Sequence, residues 1–414
     1  MLIFYVKLVF TILSSVALWL GATAQIDWQR LAQSQRSSST IGLLLLGFRF
    51  VPFLIVYVLM DELPRGDVPF FFYKATAVRA GGLVYQDFWS YHAPLFSYLI
   101  SLPLWFWNNP QAIVALMMAV ESGLVVATYL HYSKYGNPAD SLRNACFYLL
   151  LPAPLVMLLL GGQEDIWFWG IALLMLNYLR TPKANGWGLG LRFSVALVAI
   201  KATFIFWLLP VLLQLKDKIR FLTSLLAVGL PTVAILYYLV GMKFLMPIQH
   251  SGLPLSPNLL SIFQPFLGLF GKVTDYTWAN WLGLLLTVGT VSLLSYLVKN
   301  KPSTTILPLS FIWTFTAMTL FLPSSPGYYA FTYLLPVCFE IINWRSRRDV
   351  FILLVINALL IFQPFLFTYL NSPIYNDIST LKKPLFALEY AMQMLNVAGF
   401  SWILWRAFQK AQRI

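Results

Sequence analysis

The sequence predicts an all-α, polytopic membrane bundle of about 12–14 spans, and three observations carry that reading. First, 59% of the 414 residues are hydrophobic and only 10% are charged. A soluble domain carries roughly 25% charged residues, so this chain could not cover a water-facing surface. Second, the apolar residues run in long unbroken stretches. Strict alternation, the mark of a membrane β-barrel, is missing. Third, the basic residues sort to one side once the stretches are laid across a bilayer. Together these exclude a soluble globular protein, a disordered tail and a disulfide scaffold.

A spanning helix needs about 20 mostly apolar residues. The candidates, in chain order, are 3–23, 41–60, 112–132, 144–160, 165–180, 186–201, 203–215, 219–241, 279–298, 304–322, 328–343, 349–370 and 385–406. The segment 203–215 is too short to span without its neighbours. The first run lacks a clear small-residue cleavage site and is expected to be a retained helix. The run 94–107 ends in Trp105-Phe106-Trp107, an aromatic signature of the membrane interface. Charge decides how to place it. With 94–107 at the interface, seventeen of the 28 basic residues fall on one side and eight on the other, which makes the richer side cytoplasmic. The net charge of +13 is then mostly topological and does not call for nucleic acid.

The acidic residues are biased the other way. Asp61, Glu62, Asp67, Asp87, Glu164, Asp165, Asp275 and Asp377 all fall on the non-cytoplasmic side, where 61–111, 242–278 and 371–384 are long loops. Carboxylates contribute little to orientation, so their clustering points to chemistry on that face. Cys146 and Cys338 lie in apolar runs without metal-ligand spacing and are expected to be buried. His92, His131 and His250 are too far apart to suggest a ligand set.

The most informative stretch is 61–98. A short helix is expected after Asp67, with Pro69 in its first turn and Gly81-Gly82 at its end. Asp67 could simply cap that helix. Beyond it, Tyr85, Asp87, Tyr91, His92 and Pro94 crowd polar and aromatic groups above an apolar segment.

The run Gly82-x-x-Tyr85-x-Asp87-Phe88-x-x-Tyr91-x-x-Pro94-Leu95, preceded by Asp67 and an aromatic-basic helix, resembles the GT-C glycosyltransferases. Within them it is most similar to the bacterial mannosyltransferase-like group and the related catalytic subunit of GPI mannosyltransferase I. Ala93-Pro94 stands where that family often has two prolines. Further similarities follow in order: Gly162-Gln163-Glu164-Asp165; Leu189 to Pro210 with Lys201 between apolar halves; the loop Ser256-Pro257-Asn258-Leu259-Leu260-Ser261; and Tyr328-Tyr329 leading to Leu335-Pro336. The resemblance covers roughly 41–345. It suggests an N-terminal span and loop at 1–40, a catalytic transmembrane module at 41–345 and C-terminal spans at 346–414.

The resemblance implies transfer of a hexose, mannose by analogy, from a polyprenyl- or dolichyl-phosphate donor. The acceptor would be a lipid, glycan or protein on the non-cytoplasmic face of a bacterial plasma membrane or the endoplasmic reticulum. Such a reaction needs a base, a cation for the departing phosphate and an apolar groove. Asp67 matches the family's base, Asp61 is its rival, and Asp87 is a second carboxylate for binding sugar or orienting the site. Lys201 is the expected phosphate cation, because a lysine between apolar half-helices is costly in a bilayer; the plain alternative is a snorkelling side chain. Tyr85, Tyr91, His92, Gln163, Glu164, Asp165, Asn258 and Tyr329 are expected to contact substrate. Lys74, Arg79, Lys243 and His250 are weaker candidates, and Arg49 and Arg192 are expected to pair with Glu121, Glu340 or Glu389. No cofactor is expected: Arg65 and Pro69 flank Asp67 where a metal-binding D-x-D would place an aspartate. A transporter or lipid-linked-sugar flippase, or a non-catalytic subunit of the same fold, is the alternative.

Overall fold

The computed structural model describes residues 2–33, 36–249, 254–267, 277–371 and 375–414. Among these the chain is helical throughout, and its only β-type pairing is an isolated bridge between Val84 and Phe88. The protein is a multi-pass helical membrane protein. The principal helices are α1 (Leu2–Thr23), α2 (Arg36–Leu59), α3 (Val68–Arg79), α4 (Phe96–Trp105), α5 (Pro110–Tyr135), α6 (Pro138–Leu149) and α7 (Pro152–Gly161). They continue with α8 (Trp167–Leu179), α9 (Gly186–Ala199), α10 (Ala202–Gln214), α11 (Lys218–Val240), α12 (Thr277–Leu297) and α13 (Ser303–Phe321). The last three are α14 (Phe331–Glu340), α15 (Arg347–Leu370) and α16 (Pro384–Arg413).

Every expected span contains a helix, but the count of full-length crossings is smaller than expected. Among the described residues, seven helices are long and apolar enough to cross by themselves, or eight if α6 and α7, bent by 50°, act as one. At about 1.5 Å per residue, the 13 residues of α8 and the 14 of α9 reach only about 20 Å. The hydrocarbon core is about 30 Å thick. The apolar runs 165–180 and 186–201 are themselves just below the roughly 17–25 residues of a full span. Helix α4 is shorter still and leaves Trp105 and Phe106 exposed at its end.

Helix α13 is the buried axis of the bundle. Its Phe311 and Phe315 stack into an aromatic core with Trp169 and Phe168 of α8 and with Trp207 and Phe204 of α10. Deep between α2 and α5, Arg49 is paired with Glu121 at 2.7 Å, both side chains fully buried. The guanidinium also donates to the Leu149 carbonyl at the end of α6, so one cation joins three helices. Glu340 instead meets Lys410, and Arg192 bonds the Gly188 carbonyl and lies on the Tyr178 ring.

Two local features place the site. The first is the break between α9 and α10, where Lys201 takes an extended conformation (φ −149°, ψ 144°). Helix ends leave carbonyls unpaired. Here the loop before α4 takes two of them: Ala93 N–H donates to the Ile200 carbonyl and Leu95 N–H to that of Val198, both at 3.0 Å. The second is the end of α7. Gly162 closes it in the left-handed region (φ 61°), and a Cβ there would come within 2.2 Å of Val68 Cγ2. Only glycine permits both the turn and the approach. The start of α3 is thereby pressed against the α7–α8 loop.

Candidate active site

These two features bring four stretches of sequence together: the start of α3, the loop at 89–92, the α7–α8 loop and the α9–α10 break. Asp67 stands at the N-cap position of α3 but makes no side-chain cap bond, contrary to the capping reading. Its carboxylate turns to the neighbouring loop, where Gln163 Nε2 donates to Oδ2 at 2.8 Å. Glu164 and Asp165 do not cap α8 either; Ile166 holds that position. Both carboxylates face Lys201, whose ammonium lies 2.5 Å from Glu164 Oε1 and 2.9 Å from Asp165 Oδ1. Lys201 therefore does not snorkel. Its ammonium also lies 4.9 Å from the centre of the Tyr329 ring. His92 Nε2 is 2.9 Å from the same Glu164 oxygen, and its ring stacks on Phe96.

Beside this network opens a cavity of about 700 Å³. Asp67, Lys74, Tyr91, His92, Lys201 and Tyr329 line its polar end, with Trp89 and Tyr328. Its remaining walls are largely apolar, built by Phe70, Ile205, Phe206, Ile248, Trp281 and Leu284. Lys74, only 2% exposed, points inward from α3, its ammonium 5.5 Å from the centre of the Trp89 ring. Among the described residues it has no carboxylate at ion-pair distance.

Burial sets the protonation of these groups. It raises the Asp67 carboxyl above the ordinary range, with the Glu164 charge adding to the rise and the Gln163 bond opposing it. It lowers the Lys74 ammonium to about 8, against the upward pull of Glu164 and Asp67. It lowers His92 to about 4, so the imidazole is neutral near pH 7 and donates Nε2–H to Glu164. Burial alone would raise Glu164, but Lys201 and His92 overcome it and hold that carboxylate ionised. Its neighbour Asp165 is pushed up.

Several expected site residues lie elsewhere. Asp87 is exposed, and its carboxylate accepts the Leu83 N–H at 2.7 Å, closing the turn after α3. Tyr85 is buried with φ +67°, and its hydroxyl donates to the His92 carbonyl, so it shapes the loop that delivers His92. Asn258 is fully buried and ties its own loop to the Leu255 and Pro323 carbonyls. Gln163, Glu164 and Asp165 support the polar end of the cavity from behind. Asp61 is exposed and does not line the cavity. Arg79 bonds Asn108 and lies over Trp105. His250 and Asp275 lie outside the described residues.

The cavity also contains residues that the sequence did not single out. Trp89, Asn280 and Trp281 line it, and no spacing or charge distinguished them among 69 aromatic residues and many apolar helices. Among the described residues, no three His, Cys, Asp or Glu side chains converge to hold a metal ion.

No protein-family model matches the chain, and neither does any curated protein sequence.

Proposed function

We propose that this protein is a membrane glycosyltransferase using a polyprenyl- or dolichyl-phosphate sugar, consistent with the GT-C resemblance of its loops. The observation that carries the proposal is that Asp67 and Lys74 both line one largely apolar cavity without forming an ion pair. The donor lipid would lie along the apolar wall, with its phosphate at the polar end.

Asp67 then acts as the base. It takes the proton of the acceptor hydroxyl as that oxygen attacks the sugar's anomeric carbon. The bond from that carbon to the phosphate oxygen breaks, and the electron pair leaves with the lipid phosphate. One base suffices for such a displacement, which inverts the anomeric centre. Lys74 meets the charge developing on the phosphate. This role shifts from the sequence expectation. Lys201 is already neutralised by Glu164 and Asp165 and serves as the fixed post of the site, whereas Lys74, with no carboxylate at ion-pair distance among the described residues, can receive an anion. Trp89 and Tyr91 offer flat apolar faces at the cavity wall, suited to a sugar ring.

The test uses proteoliposomes supplied with radiolabelled polyprenyl-phosphate hexoses and a membrane extract as the source of acceptor. Label passing from donor lipid to acceptor, in wild type only, supports the proposal. Label crossing the bilayer while still on its lipid would mark a carrier and reject it.

A further inference from the structure

A second groove, of about 330 Å³, lies between α5, α8 and α9, apart from the active-site cavity. Val120, Leu124, Ala127, Ile171, Leu174 and Val195 give it apolar walls. Gly170 keeps it open on one side, since a Cβ there would meet Leu124 Cδ2 at 2.8 Å. One polar residue, Asn177, marks its end, where its amide oxygen accepts the His131 Nδ1–H at 2.6 Å.

Just beyond Asn177, on the face richest in lysine and arginine, three helices each deliver a cation. Lys134 comes from α5, Arg180 from the end of α8 and Arg192 from α9. Each is held against a tyrosine ring. Lys134 and Arg180 lie 5.1 and 4.2 Å from the centre of Tyr135, and Arg192 lies 3.8 Å from that of Tyr178. Among the described residues none of the three pairs with a carboxylate. Glu340, whose charge acts on His131, is taken up by Lys410 and Tyr132.

We propose that this groove holds one acyl chain of an anionic phospholipid, whose phosphate is received by Lys134, Arg180 and Arg192. Hydrocarbon of any lipid can fill an apolar groove in a bilayer, so the headgroup decides which lipid stays. Basic residues at the mouth of an interhelical groove favour an anionic head. The far end of the groove is formed by Leu99, Trp167 and Ile200. Ile200 immediately precedes Lys201, so a bound chain braces the helix break that the active site depends on.

Native mass spectrometry of the full-length protein, with equal amounts of phosphatidylglycerol and phosphatidylcholine of matched chains, tests this. Wild type should retain one phosphatidylglycerol in roughly tenfold preference, with a rise in melting temperature on its addition. Lys134→Gln with Arg180→Gln, both at exposed positions, should abolish the preference while the protein still elutes as folded. Ala127→Phe, which fills the groove, should release both lipids. Equal retention of the two lipids by wild type would overturn the proposal. So would an undiminished preference in the double variant, unchanged retention in Ala127→Phe, or a dimer that Ala127→Phe dissociates.

Discussion

Gln163 Nε2 donates to Asp67 Oδ2 across 2.8 Å and joins the start of α3 to the loop that leads into α8. The bond has two effects. It fixes the carboxylate at the edge of the cavity instead of over its own helix terminus. It also favours the ionised form in a position where burial disfavours it. Gln163→Ala is therefore expected to slow transfer by about tenfold. It should also move the acid limb of the pH–rate profile to higher pH, because the carboxyl loses a donor. A slower enzyme with an unmoved acid limb would show that Gln163 acts only on shape.

Lys74 predicts the other limb. Its ammonium, lowered to about 8, loses its proton as pH rises through that value. Activity should fall there if the cation meets the phosphate. Lys74→Arg keeps the charge at all these pH values and should remove the alkaline limb near 8, while Lys74→Met should lower the rate throughout. Asp67, Glu164 and Lys201 act on Lys74, so the profile is to be measured with those residues intact.

Lys201 is predicted to matter first for folding. Its removal leaves Glu164 and Asp165 buried without their cation, and breaking a buried pair costs roughly 3–5 kcal/mol. Lys201→Met should thus lower the melting temperature sharply in detergent. Combining it with Glu164→Gln and Asp165→Asn should recover much of that loss. If the triple variant is no more stable than the single one, the pairing is not what Lys201 contributes.

The Arg49–Glu121 pair makes a similar prediction far from the cavity. Glu121→Ala strands a fully buried guanidinium and should destabilise by roughly 3–5 kcal/mol, read as lost thermal stability. The catalytic rate per folded molecule should be unchanged.

His92 gives a stability test with a definite sign. The imidazole is lowered from about 6.5 toward about 4 in the folded protein. Below the unfolded value, the unfolded chain binds more protons than the native one, so stability is lost as pH falls through that window. His92→Gln should flatten the fall in melting temperature between pH 6.5 and 4. An equally steep fall in the variant would assign the effect to other groups.

The sequence revealed much of this arrangement, and its failures have physical causes. Helices were readable because continuous apolar runs in a bilayer leave few alternatives. The ends of α8, α9 and α10 were readable within a few residues, from the Pro182–Gly186 loop, from Lys201 and from the charges at 216–218; whether such short helices cross was not, because apolar composition alone does not measure a helix against the bilayer. Lys201 stood out as a charge where charge is costly, and Asp67 by its place in the GT-C-like loop. That Lys201 would be neutralised while Lys74, among the described residues, meets no carboxylate at ion-pair distance depends on two loops meeting over the Gly162 turn, and local sequence does not encode that meeting. Asp87 sits within a motif like that of Asp67 but is spent on closing a turn. Residue type and spacing do not separate a carboxylate that faces a cavity from one that accepts a backbone N–H nearby.

The central claim is that Asp67 is the base of a glycosyl transfer, and the rate of Asp67→Asn tests it most directly. The variant keeps the shape of the side chain and a hydrogen-bonding group for Gln163, so its melting temperature should stay close to wild type. Transfer of label from polyprenyl-phosphate hexose should fall by about 10²–10⁴-fold, the usual contribution of a positioned base. Transfer at the wild-type rate by a folded Asp67→Asn protein would contradict the account.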